Sequence, residues 1–259
     1  MGTEPRGTDT LAERLRAAGC VFAEREAALL REAASSPAHL DALTARRAGG
    51  EPLEQVLGWA AFRGSRLRVE PGVFVPRHRS GLLVDLAAPL LAPGSTLVDL
   101  CCGTGALAAA LAARVPGLVV HAADVDAAAV RCARVNLPGA HVHRGDLFDA
   151  LPPALLGGVD VVVANVPYVP SGEVALLPPE AREHEARAAL DGGVDGLGVL
   201  RRVLAGAAAW LRPGGSLLSE VADRQVDAAL AAATAAGLSA RAVADEEFET
   251  TALVVRQPV

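Results

Sequence analysis

The chain contains no lysine; all 24 of its basic residues are arginine. That excludes a lysine nucleophile, a Schiff base and the lysine of a mononucleotide phosphate loop. Aromatic residues make up only 3% of the chain, with a single tyrosine, Tyr168. The four cysteines, Cys20, Cys101, Cys102 and Cys132, contain no CxxC pair, so zinc-site spacing is missing and free, mostly buried thiols are expected. No run of about 18 uncharged apolar residues occurs, so no membrane span is expected. Met1 to Asp9 is polar and lacks the charged-then-apolar order of a signal peptide, which makes a cytoplasmic location the expectation. A basic excess is missing too, the net charge being −6. Nonspecific nucleic-acid binding needs a basic face. Direct nucleic-acid binding is therefore not expected, although Arg63, Arg66, Arg68, Arg77 and Arg79 fall close together.

What is present is apolar side chain, 51% of 259 residues, enough for one large domain or one domain plus a small one. Residues 1–8 are expected to be disordered. Apolar residues at helical spacing predict a helix from Thr10 to about Ser35 and a second from Pro37 to Arg47. Residues 1–50 thus read as a helical N-terminal domain. Residues 51–80 read as a connector, with a β-hairpin turning near Gly64-Ser65 and an extended segment, "PGVFVPRHRSG". Residues 81–259 alternate helix and strand, with strands at Thr96–Leu100, Val119–Ala123, Val142–Arg144, Val159–Ala164 and Ser216–Glu220. That alternation predicts an α/β fold whose mostly parallel sheet is covered on both faces. Two last strands, Ser239–Ala244 and Thr251–Arg256, have no helix between them and predict an antiparallel pair.

"LVDLCCGTGALAAALA" is strand, glycine loop, helix. Asp99 stands near the strand end, and Cys101, Cys102, Gly103, Thr104 and Gly105 form the loop, whose glycines permit close backbone approach to a ligand. About 20 residues on, the next strand ends in Asp124, placed to accept hydrogen bonds from ribose hydroxyls. GxxxxGK[ST] is absent, and so is the third glycine of GxGxxG, which leaves a nucleoside without a phosphate cradle. A carboxylate before the loop suits a cationic or amino-bearing ligand, and S-adenosylmethionine is one; a plain βα turn is the alternative. In "HRGDLFDALP", Asp146 can accept from an adenine amino group with Leu147 against the ring, or the pair is an ordinary polar loop and core leucine.

"VDVVVANVPYVP" raises a different chemistry. An apolar strand ends in Asn165, Val166, Pro167 and Tyr168, at the same edge as the glycine loop. The Asn165 side-chain carbonyl and the Val166 backbone carbonyl are two acceptors on a turn that Pro167 stiffens. Together they can hold both hydrogens of a planar NH₂ group, with Tyr168 against its plane. Holding both N–H bonds leaves the nitrogen lone pair one direction to point, and acceptors there stabilise positive charge building on nitrogen. The pattern predicts N-methylation; a strand ending in a plain turn is the alternative.

Taken in order, "GGEPLEQVLGWAAFRG", "VFVPRHRS", "VDLCCGTGA", "AADVD", "GDLFDALP", "NVPY" and "EARAALDGGVDGL" resemble the HemK/PrmC-type protein-(glutamine-N5) methyltransferases, over about residues 10–256. The resemblance implies a seven-stranded Rossmann-like class I methyltransferase sheet and S-adenosylmethionine as cofactor. It implies that the protein substrate is a peptide-chain release factor, methylated on its GGQ glutamine. By the same resemblance, Cys101 to Gly105 hold the methionine part of the cofactor, Asp124 the ribose, and Asp146 and Leu147 the adenine. Asn165 to Tyr168 bind the amide, with Asn165 also near the cofactor, and Phe74, Pro76 and Arg77 line the entrance. Two departures stand out. NVPY replaces the usual NPPY, keeping the needed backbone carbonyl, and PRHRSG replaces PRPETE, removing acidic residues near the entrance. The second bears on the acceptor more than on the reaction, and leaves room for another glutamine or a small amide. A base N-methyltransferase is opposed by the acidic charge, and a non-enzymatic cofactor-binding protein is the third reading.

Other candidates are weaker. His141 and His143 share one strand face without a third metal ligand, so no metal is expected. His184, in "PEAREHEARAAL", reads as part of a solvated polar loop, and His78 as a surface-loop histidine that can meet substrate. "ALDGGVDGL" reads as a turn and helix start.

Overall fold

A computed structural model describes residues 9–247 and 249–259; the disorder expected for residues 1–8 lies outside them. The first predicted helix is two, α1 (Thr10–Ala17) and α2 (Ala23–Ala33), parted by a turn that buries Cys20. Asp9 caps α1, accepting from the Leu11 and Ala12 N–H groups, which satisfies donors a helix start leaves free. Helix α3 (Pro37–Ala48) is capped by Ser36, and a short α4 (Leu53–Leu57) that the sequence reading missed follows. Leu15, Ala27, Leu30, Leu43 and Val56 close a small core of their own.

The hairpin pairs β1 (Trp59–Phe62) with β2 (Ser65–Arg68). Its turn is Arg63-Gly64, one residue earlier than expected, with both residues at positive φ, the conformation that two-residue hairpins favour. Phe62 and Leu67 reach into the large core beyond. Asn136 fastens the hairpin, bonding the Arg68 N–H and carbonyl and the Thr104 carbonyl.

The remaining elements are α5 (Gly81–Ala87), β3 (Thr96–Leu100), α6 (Ala106–Arg114), β4 (Val119–Asp124), α7 (Ala127–Asn136), β5 (His141–Arg144), β6 (Val159–Ala164), α8 (Pro179–His184), α9 (Gly198–Trp210), β7 (Leu211–Val221), α10 (Val226–Ala235), β8 (Ser239–Asp245) and β9 (Thr250–Arg256). The seven strands β3 to β9 order as β5-β4-β3-β6-β7-β9-β8. The first five run parallel and β9 runs against both its neighbours. Alternate residues of each inner strand feed opposite layers, because successive side chains leave a strand on opposite faces. Leu97, Val161, Val163 and Leu218 pack under α5 and α6. Val98, Val162, Leu217 and Leu253 pack under α9 and α10. Each such fully buried Val or Leu stabilises the sheet by roughly 1.5–3 kcal/mol. Strand order reverses between β3 and β6, and open α/β sheets bind ligands at such a switch, beyond the carboxyl ends of the strands.

Candidate functional site

A cavity of about 590 Å³ opens at that switch point. Its walls bring together Phe74, Pro76 and Arg77 from the connector, Asp99 and Cys101 to Thr104 from β3 and its loop, and Asp124 from β4. Asp146, Leu147 and Asn165 to Tyr168 complete it. Of the residues assigned from the sequence to the cofactor, the amide and the entrance, Gly105 alone is not in the wall. It turns the chain into α6 at φ 77, and a Cβ there would lie 2.8 Å from Leu137 Cδ1, so it serves the packing of the loop on α7.

The loop is electronegative, and the N–H groups of Cys102, Gly103 and Gly105 are engaged. Asp99 Oδ2 accepts from the Ala108 N–H in the first turn of α6 at 3.2 Å. Burial lifts the Asp99 carboxyl well above the usual carboxylate range, opposed by that N–H and reinforced by Asp124. Asp124 accepts from the Gly103 and Asp126 N–H groups, both at 2.9 Å; burial raises its carboxyl and the two N–H groups pull it down. Cys101 sits in the left-handed region at φ 54, and burial, then Asp124 and Asp99, push its thiol up. The Cys102 N–H bonds the Ala123 carbonyl and the Gly105 N–H bonds the Cys102 carbonyl. With Gly103 held by Asp124, these donors are not free to cradle a phosphate, and the carboxylates repel one. A cationic nucleoside fits this wall; a pyrophosphate does not. Asp146 is exposed and paired with Arg202 at 2.6 Å, a contact exposed enough to exchange readily for a ligand amino group.

At the end of β6, Asn165 Nδ2 donates to Ser80 Oγ at 3.0 Å. Ser80 Oγ donates to Glu220 Oε2 at 2.8 Å. Arg79 Nε and the Tyr168 hydroxyl both donate to Glu220 Oε1, at 2.8 and 2.9 Å, and Arg79 also bonds the Tyr168 hydroxyl. Among the described residues no donor reaches Asn165 Oδ1 or the Val166 carbonyl. Burial pushes the Tyr168 phenol up to about 12, with Glu220 adding to the rise and Arg79 opposing it. The "ALDGGVDGL" segment, read as a turn and helix start, also backs this loop. The Val169 N–H donates to the Leu190 carbonyl and the Gly192 N–H to the Val169 carbonyl, and Gln225 Nε2 donates to the Tyr168 and Asp195 carbonyls, both at 2.9 Å.

The entrance pairs Arg77, expected there, with Glu185, from a segment that the sequence reading placed in a solvated loop. "PEAREH" forms α8 rather than a loop, and the side chain of Glu185, which follows it, is fully buried. Glu185 accepts from Arg77 at 2.7 and 2.8 Å and from the Val75 N–H at 3.0 Å, while Arg77 lies over the Phe74 ring at 4.7 Å. The arginine cluster is not a free basic patch. Arg63 bonds Asp85 and the Gly81 carbonyl, Arg66 covers Trp59 at 3.6 Å, and Arg68 pairs with Glu70. His141 and His143 both stack on His121, whose ring burial and the two neighbours push down to about 4. Among the described residues no group of three or more His, Cys, Asp or Glu is placed to hold a metal ion.

Ser80 and Glu220 were missed from the sequence. Glu220 carried a signal: it ends a buried strand in a polar side chain, as Asp99, Asp124 and Asn165 do.

The family model described as "Methyltransferase small domain" matches residues 66–193. A release factor glutamine methyltransferase of Gloeobacter violaceus is 43% identical over 66% of this chain and 61% of its own length. One of Cereibacter sphaeroides is 36% identical over 78% of this chain and 73% of its own. The 4-amino-L-phenylalanine/4-methylamino-L-phenylalanine methyltransferase of Streptomyces pristinaespiralis is 42% identical over 70% of this chain and 64% of its own. The chain thus spans somewhat under two thirds of the length of several relatives. The crystal structure of a Pyrococcus furiosus methyltransferase shares the fold at TM-score 0.56 and 18% identity, covering 74% of this chain and 90% of that one.

Proposed function

The chain belongs to the release factor glutamine methyltransferase family, and from that we propose that it methylates a protein glutamine, using S-adenosylmethionine as methyl donor. The acceptor is the side-chain amide nitrogen of the GGQ glutamine of a peptide-chain release factor. One observation carries the reading: two acceptors, Asn165 Oδ1 and the Val166 carbonyl, stand without a donor on one turn at the cavity. That is the complement of an NH₂ group.

When bound, S-adenosylmethionine supplies an electrophilic methyl group on a cationic sulfur. Asp124 would hold its ribose hydroxyls, Asp146 and Leu147 its adenine, and Cys101 to Thr104 its methionine part. The carboxylates of Asp99 and Asp124 favour the cation. Asn165 Oδ1 and the Val166 carbonyl hold the two N–H bonds of the acceptor amide and turn its lone pair toward the methyl carbon. Orientation of this kind contributes up to about 7–11 kcal/mol in favourable systems. The nitrogen gains a carbon and gives up one proton to solvent. The Tyr168 phenol stays neutral, pushed up to about 12, so it packs and donates rather than acting as base.

A second reading, N-methylation of a small aromatic amine, is favoured by Arg79. This cation replaces an acid in the family's usual segment, lines the cavity and bonds the Tyr168 hydroxyl and Glu220, where it can also meet an acceptor's carboxylate.

Mass spectrometry of a recombinant release factor, and in parallel of 4-aminophenylalanine, after incubation with labelled cofactor separates the two. Asn165→Ala is expected to lower turnover by about 10²–10³-fold while calorimetry shows cofactor still binding. Full activity in that variant would refute the amide clamp.

A further inference from the structure

We propose that Glu220, acting through Ser80, decides which end of the Asn165 carboxamide faces the acceptor; the inference rests on the amide-clamp reading above. A carboxamide has two ends of nearly equal shape, and only the oxygen can accept an N–H. Asn165 turned the other way would set its own N–H groups against those of the acceptor. Nothing in the shape of Asn165 prevents this. Ser80 Oγ, 3.0 Å from Nδ2, cannot prevent it alone, because a hydroxyl both donates and accepts.

Glu220 removes the ambiguity. Its carboxylate only accepts, and Oε2 takes the single Ser80 proton at 2.8 Å. Ser80 is left as an acceptor toward Asn165, and only the NH₂ end of Asn165 satisfies it. Oδ1 is therefore the end left for the cavity. Arg79 Nε and the Tyr168 hydroxyl in turn pin Glu220 Oε1, and the Glu220 side chain is only 5% exposed. Arg79 and Ser80 both belong to "PRHRSG": Ser80 stands where PRPETE has threonine and keeps the hydroxyl, and Arg79 stands where it has glutamate and adds the cation that pins Glu220. Glu220 does not touch the acceptor; it is a positioning residue.

The test is an inversion. In Glu220→Gln, Arg79 and Tyr168 still donate to the Oε1 position and keep the Gln carbonyl there. The Gln NH₂ then faces Ser80 and donates to it. Ser80 turns its proton to Asn165, which presents its NH₂ end to the cavity. Methyl transfer by Glu220→Gln is expected to fall by about 10²-fold or more, the scale of losing an oriented acceptor, with cofactor affinity unchanged by calorimetry. Ser80→Ala only removes the relay, leaves Asn165 free to turn, and costs less than about 10-fold. Ser80→Ala combined with Glu220→Gln should therefore be faster than Glu220→Gln alone, a rescue that a merely structural role does not produce.

A double variant as slow as Glu220→Gln, or Glu220→Gln at the wild-type rate, overturns the relay. If Glu220→Gln does not fold, Ser80→Thr against Ser80→Val decides, since the relay requires the hydroxyl; equal rates overturn it. Asn165→Ala distinguishes the two levels. If it is inactive while Glu220→Gln is normal, only the relay fails; if it is fully active, the clamp itself fails.

Discussion

Substituting Gly192 by alanine tests how rigidly the NVPY loop must be held. Gly192 backs that loop from behind, and a Cβ there would lie 2.6 Å from the Pro167 carbonyl oxygen and would overlap the Gly196 carbonyl. Carbon and carbonyl oxygen rest at about 3.3–3.6 Å, so backbone must move by roughly 0.7 Å or more. Neither neighbour is a flexible side-chain tip, which puts the cost near the upper end of overpacking, about 3 kcal/mol. For a chain of this size that lowers the melting temperature by roughly 6–12 °C. The displaced atoms belong to the acceptor turn, and a misplacement approaching 1 Å costs up to about 10²-fold in rate. Gly193 is the control: its φ is +92, yet a Cβ there meets nothing nearer than 3.9 Å. Gly193→Ala carries only the left-handed strain of about 1–2 kcal/mol and leaves the turn in place. Thermal melts and single-turnover rates of the two variants separate the causes. Equal rates for the pair, or a wild-type rate for Gly192→Ala, would show that loop position does not limit the chemistry.

Burial holds the Asp99 and Asp124 carboxyls above the usual carboxylate range. Raised folded-state values mean that these groups favour the ligand-free fold as pH drops from the folded value toward the unfolded one, and cost it stability once ionised. A cationic ligand pulls the other way. S-adenosylmethionine affinity should therefore weaken as pH falls through the raised values, and calorimetry in two buffers of different ionisation enthalpy should show proton release on binding; a flat affinity with no release would count against the electrostatic reading. Glu185→Gln removes the buried partner of Arg77 and is expected to cost about 2 kcal/mol. Its KM for the protein acceptor should rise more than its kcat falls, and an unchanged KM would mean the entrance does not depend on that pair.

Local patterns carried the alternating elements, the glycine loop, the strand-end acids and the NVPY turn, because each is a rule within a few residues. Buried strands read as apolar runs, and their ends announce themselves by a polar side chain at the carboxyl edge. The same locality explains the misreadings. The apolar period from Thr10 to Ser35 runs on across Gly19, whose φ of 92 and the Cys20 N–H bond to the Leu15 carbonyl end α1. "PEAREHE" is polar by composition, and only the arrival of Arg77, 108 residues away, makes a buried position for Glu185.

From the residues alone came the sheet, the edge at which chemistry gathers and the unsuitability of that edge for phosphate. The three-dimensional fold decided the rest. It put Ser80 against Glu220, 140 residues apart, laid Gly192 on the Pro167 carbonyl and partnered each hairpin arginine named above. Hydrogen bonds and close contacts of that kind depend on distance in space, which the fold sets by burying two apolar layers, and no pattern within a short stretch of chain encodes it.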